Sequence, residues 1–150
     1  MQKTLLVCLD NLGDLVFTST IALSLSQNPE VELSLWSKSY TSAIGCLMPG
    51  VKHVFAADPF WDRAPGRSRG SLLHFMKIWR EIRRQKFTLA LMPTSNWWVA
   101  MFVWLAGIPV RVGFAGRKNQ RWLTHSLPKP GAQEAVVTAL QRTFAAYLLR

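Results

Sequence analysis

Short apolar segments that alternate with helical patterns are the feature that most constrains the fold of this chain. The segment TLLVCL at residues 4–9 is apolar after its first residue, as in a strand that is buried on both faces. Four further segments have strand patterns and five have helical patterns: strands at 31–36, 51–57, 87–92 and 110–114, and helices at 15–27, 39–47, 71–86, 95–107 and 132–149. This order predicts a doubly wound α/β domain with a mainly parallel, five-stranded sheet.

The length and composition fit one folded domain. The chain has 150 residues, of which 49% are hydrophobic, which is enough to bury a core and too few residues for two ordinary domains. The apolar segment WWVAMFVWLAGI at 97–108 is too short to cross a bilayer, because a spanning helix takes about 20 residues. It therefore predicts a buried core helix.

The formal net charge of +10 indicates an anionic partner. Nucleic acid, a phosphorylated substrate and an acidic membrane surface all fit this charge. Nucleic acid is the least favoured of the three, because no helix-turn-helix, RRM or zinc signature is present. Four basic residues of the segment 71–86 predict either a solvated helix face or a contact with an anionic membrane: Lys77, Arg80, Arg83 and Arg84.

Cysteine and histidine usage predicts no metal site, and no cofactor is expected. Cys8 and Cys46 lack ligand spacing, and His53, His74 and His125 lie far apart in the sequence. The cysteine usage fits a reducing cytosol. No signal peptide is predicted, because acidic residues break the N-terminal apolar stretch early. The sequence therefore predicts a cytoplasmic protein, either free or peripheral on the inner face of the plasma membrane.

The motif DNLGD at residues 10–14 follows the first predicted strand. Ligands of doubly wound domains bind beyond the carboxyl ends of the strands, which is where Asp10 and Asp14 fall. Gly13 is expected to allow a tight turn there, and Asp10 to stabilise the loop. Asp14 has two interpretations, a helix cap that accepts backbone N–H groups or a general base that faces a cleft. Neither a dinucleotide fingerprint nor a P-loop is present.

Four segments in a fixed order cover essentially the whole chain: LLVCLDNLGDLVFTSTIALSL at 5–25, MPGVKHVFAAD at 48–58, IWREIRRQKFTLALMPTSNWWVAMFVWLAGIPVRVGF at 78–114 and LTHSLPKPGAQEAV at 123–136. Together they resemble the ADP-heptose:lipopolysaccharide heptosyltransferases, glycosyltransferase family 9. The resemblance implies a GT-B enzyme with two Rossmann-like domains and the active site between them. Residues 1–150 are then expected to form the N-terminal, acceptor-side domain, and the C-terminal, donor-binding domain is absent from this sequence.

The resemblance also implies the chemistry. Asp14 corresponds to the catalytic base of the family, which takes the proton of an acceptor hydroxyl. The implied acceptor is the lipopolysaccharide inner core, and the implied donor is ADP-heptose, bound only with the missing C-terminal domain. The chain alone is expected to be inactive, because both reactants have to be positioned for transfer. Seven residues are predicted to bind the acceptor: Asn11, Gly13, Arg63, Arg67, Arg69, Arg117 and Arg121.

The three arginines of the loop after the third strand have two interpretations. Arg63, Arg67 and Arg69 are either solvated surface or a clamp for phosphate and carboxylate groups, which the guanidinium fork binds well. The resemblance favours the clamp.

Several positions depart from the family pattern. Cys8 stands in place of a basic residue, Thr20 in place of a proline, and Met92 and Thr94 in place of an acid and a glutamine. Polar groups are thereby lost from the expected acceptor side. The departures keep a second function open, a catalytically silent binding or scaffold protein at the cytoplasmic face of the membrane.

Overall fold

Strands and helices alternate along the chain in the computed structural model, which describes residues 1–62, 70–129 and 144. The strands are β1 Gln2–Cys8, β2 Val31–Ser37, β3 Val51–Ala56, β4 Leu89–Met92, β5 Val110–Phe114 and β6 His125–Leu127. The α-helices are α1 Leu12–Ser26, α2 Ser42–Gly45, α3 Leu72–Gln85 and α4 Trp97–Leu105. Short 3₁₀ turns span Ser39–Thr41 and Gln120–Trp122.

The described strands form one sheet in the order β3-β2-β1-β4-β5-β6, and all neighbouring strands are parallel. The predicted doubly wound α/β fold is confirmed. The sheet has six strands where the sequence predicted five. The additional edge strand β6 has three residues and is largely exposed, so it has no apolar pattern that could reveal it.

The sheet separates two apolar cores, and β1 contributes to both. Leu5, Val7 and Leu9 belong to the core under α3 and α4, whereas Leu6 and Cys8 belong to the core under α1. This alternation explains why β1 is apolar on both faces. Because α1 and α4 cover opposite faces, the connections after β1 and β4 leave the sheet in opposite directions.

Helix α1 begins at Leu12, three residues before its predicted start. Its N-cap is Asn11, so Gly13 and Asp14 lie in the first helical turn. The prediction of a tight turn at Gly13 is therefore wrong, because the residue is helical. Among the described glycines, a positive φ occurs at Gly50 and Gly107.

The predicted core helix at 97–108 is confirmed as α4, in which Val99, Ala100 and Val103 are buried. The predicted C-terminal helix at 132–149 lies outside the described residues except at Phe144. Phe144 is helical and buried, and its ring packs on Phe114 with the two centroids 5.8 Å apart. None of the described helices has the length and apolar character needed to span a membrane.

Candidate functional site

A cavity of about 440 Å³ opens at the carboxyl edge of the sheet. It lies where the connections after β1 and β4 diverge towards opposite faces, which is the crevice where doubly wound sheets bind ligands. Its lining comes from the ends of β1, β4 and β5, from the first turn of α1 and from the segment after β6: Asp10, Asp14, Pro93, Thr94, Ser95, Phe114 and Lys129. The acidic motif of the sequence and the polar residues after β4 therefore meet in one place.

The exposed side chain of Asp14 is held by a helix-capping contact. Its Oδ2 atom accepts a hydrogen bond from the backbone N–H of Asn11 over 3.2 Å. The negative charge also suits the positive end of the helix. The Oδ1 atom accepts no hydrogen bond from any residue that the structure describes. One oxygen thus caps α1 while the carboxylate still lines the cavity, so the two interpretations of Asp14 are compatible.

Asp10 lines the same cavity, a position that goes beyond the loop-stabilising role expected of it. Burial raises the pKa of its carboxyl above the ordinary value of 3.8, and the charge of Asp14 raises it further. Lys38 and the Thr94 hydroxyl oppose this rise. Asp10, which lies beside Asp14, therefore holds a proton more readily than a free aspartate does. Within the described part of the chain, no three His, Cys, Asp or Glu side chains group as a metal site would require.

A buried lysine at the end of β2 also acts on this edge of the sheet. Lys38 is 5% exposed and forms an ion pair with Asp62. Asp58 accepts a hydrogen bond from the backbone N–H of Ser39 over 3.0 Å. The two contacts tie the segment after β3 to the end of β2. A lysine after a strand usually indicates solvated surface, so no pattern in the sequence signals this burial.

Cys8 occupies the position where the resembled family has a basic residue. Its thiol is buried on β1, and its Sγ atom lies 3.9 Å from the hydroxyl of Thr18. Burial first, and then the charge of Asp10, raises the pKa of this thiol to about 11. The thiol is therefore neutral near pH 7 and supplies no positive charge at the end of β1.

Two of the predicted acceptor-binding residues lie beside Asp14. Asn11 is the N-cap of α1, and Gly13 is the residue immediately before Asp14 in the first turn. Both are exposed. A Cβ atom built on Gly13 meets nothing within 4 Å, so the surface in front of this glycine is open. Three further predicted residues lie outside the described part of the chain: Arg63, Arg67 and Arg69.

Arg117 and Arg121 both follow β5 but do not join the carboxylates. Arg117 is exposed and does not line the cavity. The guanidinium of Arg121 lies over the ring of Trp122, 5.7 Å from its centroid. The backbone carbonyl of Trp122 accepts a hydrogen bond from Arg111, near the amino end of β5. Arg121 therefore lies towards the edge of the sheet opposite to Asp14.

One curated protein matches the sequence of this chain, while no family model does. A protein of Haemophilus influenzae that is provisionally named a glycosyltransferase is 26% identical over 128 residues. The matched region is 85% of this chain and 34% of that protein. The chain therefore spans about a third of the length of the curated relative that it matches.

Solved structures match this chain through the fold. The E. coli heptosyltransferase WaaC, solved with ADP, matches with a TM-score of 0.77 and 15% identity, over 98% of this chain and 48% of WaaC. A glycosyl transferase family 9 protein from Veillonella parvula matches with a TM-score of 0.73 and 13% identity, over 99% and 40% of the two chains. At these identities the likeness establishes the fold. The resemblance to heptosyltransferases that the sequence predicted is confirmed at that level, and the chain spans less than half of either solved chain.

Proposed function

We propose that this chain provides the acceptor side of a glycosyltransferase of the heptosyltransferase type, with Asp14 as the general base. The observation that carries the proposal is the position of Asp14. Its carboxylate is exposed in the first turn of the helix after the central strand β1, and it lines a cavity with Thr94 and Ser95. A second domain, by analogy with the two-domain enzymes of this fold, binds the nucleotide sugar. The ADP bound to WaaC supports a donor of that class.

The proposed reaction moves one proton and one glycosyl group. The Oδ1 atom of Asp14 accepts the proton of an acceptor hydroxyl as the oxygen of that hydroxyl attacks the anomeric carbon of ADP-heptose. A bond forms between this oxygen and the anomeric carbon, the bond from that carbon to the phosphate oxygen breaks, and ADP leaves with the electron pair. The exposed hydroxyl of Ser95 lines the cavity and is available to orient the acceptor, for which we propose a sugar of the lipopolysaccharide inner core.

A catalytically silent binding protein is the second candidate. It is favoured by the hydrogen bond from Asn11 to Asp14, because a helix cap alone accounts for a carboxylate at this position. In that case the cavity binds a ligand, and substitution of Asp14 affects the stability of α1 rather than a reaction.

Acceptor titration and a transfer assay separate the two candidates. The purified chain is titrated with deacylated inner-core oligosaccharide, and transfer from ADP-heptose is followed by mass spectrometry, with the chain alone and joined to a donor domain. We expect binding without transfer for the chain alone, and transfer by the joined protein. Asp14→Asn should lower that transfer by about a hundredfold or more, the usual contribution of a general base, and leave acceptor binding nearly unchanged.

Three results would change the assignment. Transfer by the purified chain alone would show that the donor site lies in this chain and not in a second domain. Wild-type rates in the joined Asp14→Asn protein would exclude Asp14 as the base. Acceptor binding with no transfer by any joined protein would favour the silent binding protein.

We also infer a cytoplasmic location with peripheral contact to an anionic membrane. The support is the exposed basic face of α3, where each residue near such a surface contributes about 1 kcal/mol: Lys77, Arg80, Arg83 and Arg84. Co-sedimentation with phosphatidylglycerol vesicles at low and high salt measures this contact. Equal binding to neutral phosphatidylcholine vesicles would contradict an electrostatic attachment.

A further inference from the structure

Four aromatic side chains pack against one another beside the carboxyl edge of the sheet, and we call them the aromatic wall: Phe60, Trp61, Trp97 and Trp98. The rings of Trp61 and Trp98 are stacked, with centroids 5.5 Å apart and planes 8° apart. Trp97 stacks on Trp98 with centroids 4.4 Å apart. Phe60 meets Trp61 and Trp98 edge-on. All four side chains are half-buried, so the wall is not sealed inside the core.

Contacts on both sides of the aromatic wall fix the backbone segments that carry its rings. Asp58 and Asp62 flank the Phe60–Trp61 pair, and both carboxylates are anchored to the end of β2, Asp62 through the buried Lys38. On the other side, the side chain of Asn96 accepts a hydrogen bond from the backbone N–H of Trp98 over 3.0 Å. A surface that is fixed before binding loses little conformational entropy when a ligand arrives.

The aromatic wall offers hydrogen-bond donors as well as ring faces. The indole N–H of the buried Trp79 donates to the carbonyl of Phe102 over 2.9 Å, as expected of a core tryptophan. By contrast, the indole N–H groups of Trp61, Trp97 and Trp98 donate to no residue that the structure describes. These donors lie at the edges of stacked, half-buried rings and are available to a ligand.

The aromatic wall adjoins the cavity that contains Asp14. Ser95 lines that cavity, and Trp97 is the second residue after it. Between them, the backbone N–H of Asn96 donates to the hydroxyl of Thr94 over 3.1 Å, so a hydrogen-bonded turn joins the cavity to the wall. The rings at the start of α4 therefore follow the cavity-lining residues by two positions in the chain, close enough for one extended ligand to contact both.

We propose that the aromatic wall is an acceptor subsite that takes a pyranose ring through the C–H face of the sugar. A pyranose has a face of C–H groups and a rim of hydroxyls, which match a flat aromatic face with N–H donors at its edge. The inference rests on the proposed function, because it names the class of sugar bound next to the reacting hydroxyl.

The test is the affinity of the full chain for dephosphorylated inner-core oligosaccharide, measured by calorimetric titration, so that no phosphate contact contributes. Trp97→Leu removes the aromatic face and keeps apolar volume. We expect it to weaken binding by about tenfold, which corresponds to about 1.4 kcal/mol. Trp97→Phe keeps a ring face and should stay within about threefold of the wild type, since stacking tolerates a change of ring.

Trp104→Leu is the matched control, because Trp104 lies at the other end of α4 and packs on Trp122 with centroids 5.1 Å apart. It should leave the affinity unchanged, and melting curves of all variants show whether they are folded. The subsite is overturned if Trp97→Leu binds like the wild type, if Trp97→Phe loses as much affinity as Trp97→Leu, or if Trp104→Leu loses as much. The proposed function would survive those results, because the wild type would still bind the oligosaccharide and Asp14→Asn would still lower transfer. Absence of any oligosaccharide binding by the wild type would instead refute the proposed function as well.

Discussion

Replacement of Gly13 by alanine should stabilise the protein while weakening acceptor binding. Gly13 is helical in α1, and a Cβ atom there meets nothing within 4 Å, so the methyl group causes no clash. A glycine in a helix costs roughly 0.5–1 kcal/mol relative to alanine, because it loses more backbone entropy on folding. For a chain of 150 residues, 1 kcal/mol corresponds to about 2–4 °C, so we expect the melting temperature to rise by about 1–4 °C.

The reason to retain a costly glycine is the space in front of it. Gly13 is exposed in the same helical turn as Asp14 and is one of the residues predicted to bind the acceptor, so a methyl group there would fill part of the surface that we propose the acceptor covers. We therefore expect Gly13→Ala to bind the inner-core oligosaccharide more weakly, by about threefold to tenfold, the effect of 0.7–1.4 kcal/mol. Calorimetric titration and thermal melting on the same preparations measure both effects.

Gly107→Ala is the control, because Gly107 has as much free space around a Cβ atom as Gly13 but a different backbone conformation. A Cβ atom at Gly107 also meets nothing within 4 Å, but its φ is +78°, in the left-handed region. Alanine is strained there by roughly 1–2 kcal/mol, so this variant should melt lower and bind normally. Two outcomes would refute the reasoning about Gly13. One is a lower melting temperature for Gly13→Ala, and the other is a raised melting temperature with unchanged acceptor binding.

Two further predictions concern the charges near the cavity. The side chain of Lys38 is 6% exposed, whereas that of Asp62 is 35% exposed. Asp62→Asn therefore leaves a buried ammonium group without its ion-pair partner. Lys38→Met leaves a carboxylate that reaches water. Asp62→Asn should lower the free energy of unfolding, measured in urea, by roughly 3 kcal/mol, and Lys38→Met should lower it clearly less. The reverse order would contradict the burial argument. Because the pKa of Asp10 is raised in the folded state, its protonated form stabilises the fold below about pH 3.8, and this contribution is lost as the pH rises through the folded-state pKa. The melting temperature of Asp10→Asn should therefore exceed that of the wild type by a margin that grows from pH 4 to pH 7, and a constant margin would argue against the raised pKa.

The fold could be predicted because the central strands carry their burial in the sequence. β4 and the second half of β1, from Leu5 onward, are buried on both faces, so successive residues belong to opposite cores and these stretches are continuously apolar. β6 could not be found in this way. Its three residues pair with β5 at the sheet edge, and nothing in their hydropathy distinguishes them from the surrounding connection. The start of α1 was misplaced because Asn11 caps the helix before the apolar pattern begins.

The candidate site could be predicted only where it is local in sequence. Asn11, Gly13 and Asp14 are neighbours along the chain, so one motif locates them. Thr94 joins Asp10 at the cavity only because β1 pairs with β4, and no local pattern announces that pairing. The ion pair of Lys38 with Asp62 likewise joins residues that are 24 positions apart.

The central position of β1 has a consequence for synthesis of the chain. Lys3 accepts a hydrogen bond from Thr88, 85 residues further along, so one edge of β1 stays open until β4 has been made. At about 5–20 residues per second, that edge waits roughly 4–17 s on the ribosome. During this interval an apolar strand presents unpaired N–H and C=O groups, which is the kind of surface that recruits chaperones or pairs with other nascent chains. Slow codons between β2 and β4 would lengthen the exposure, whereas a chaperone that covers β1 would shorten it.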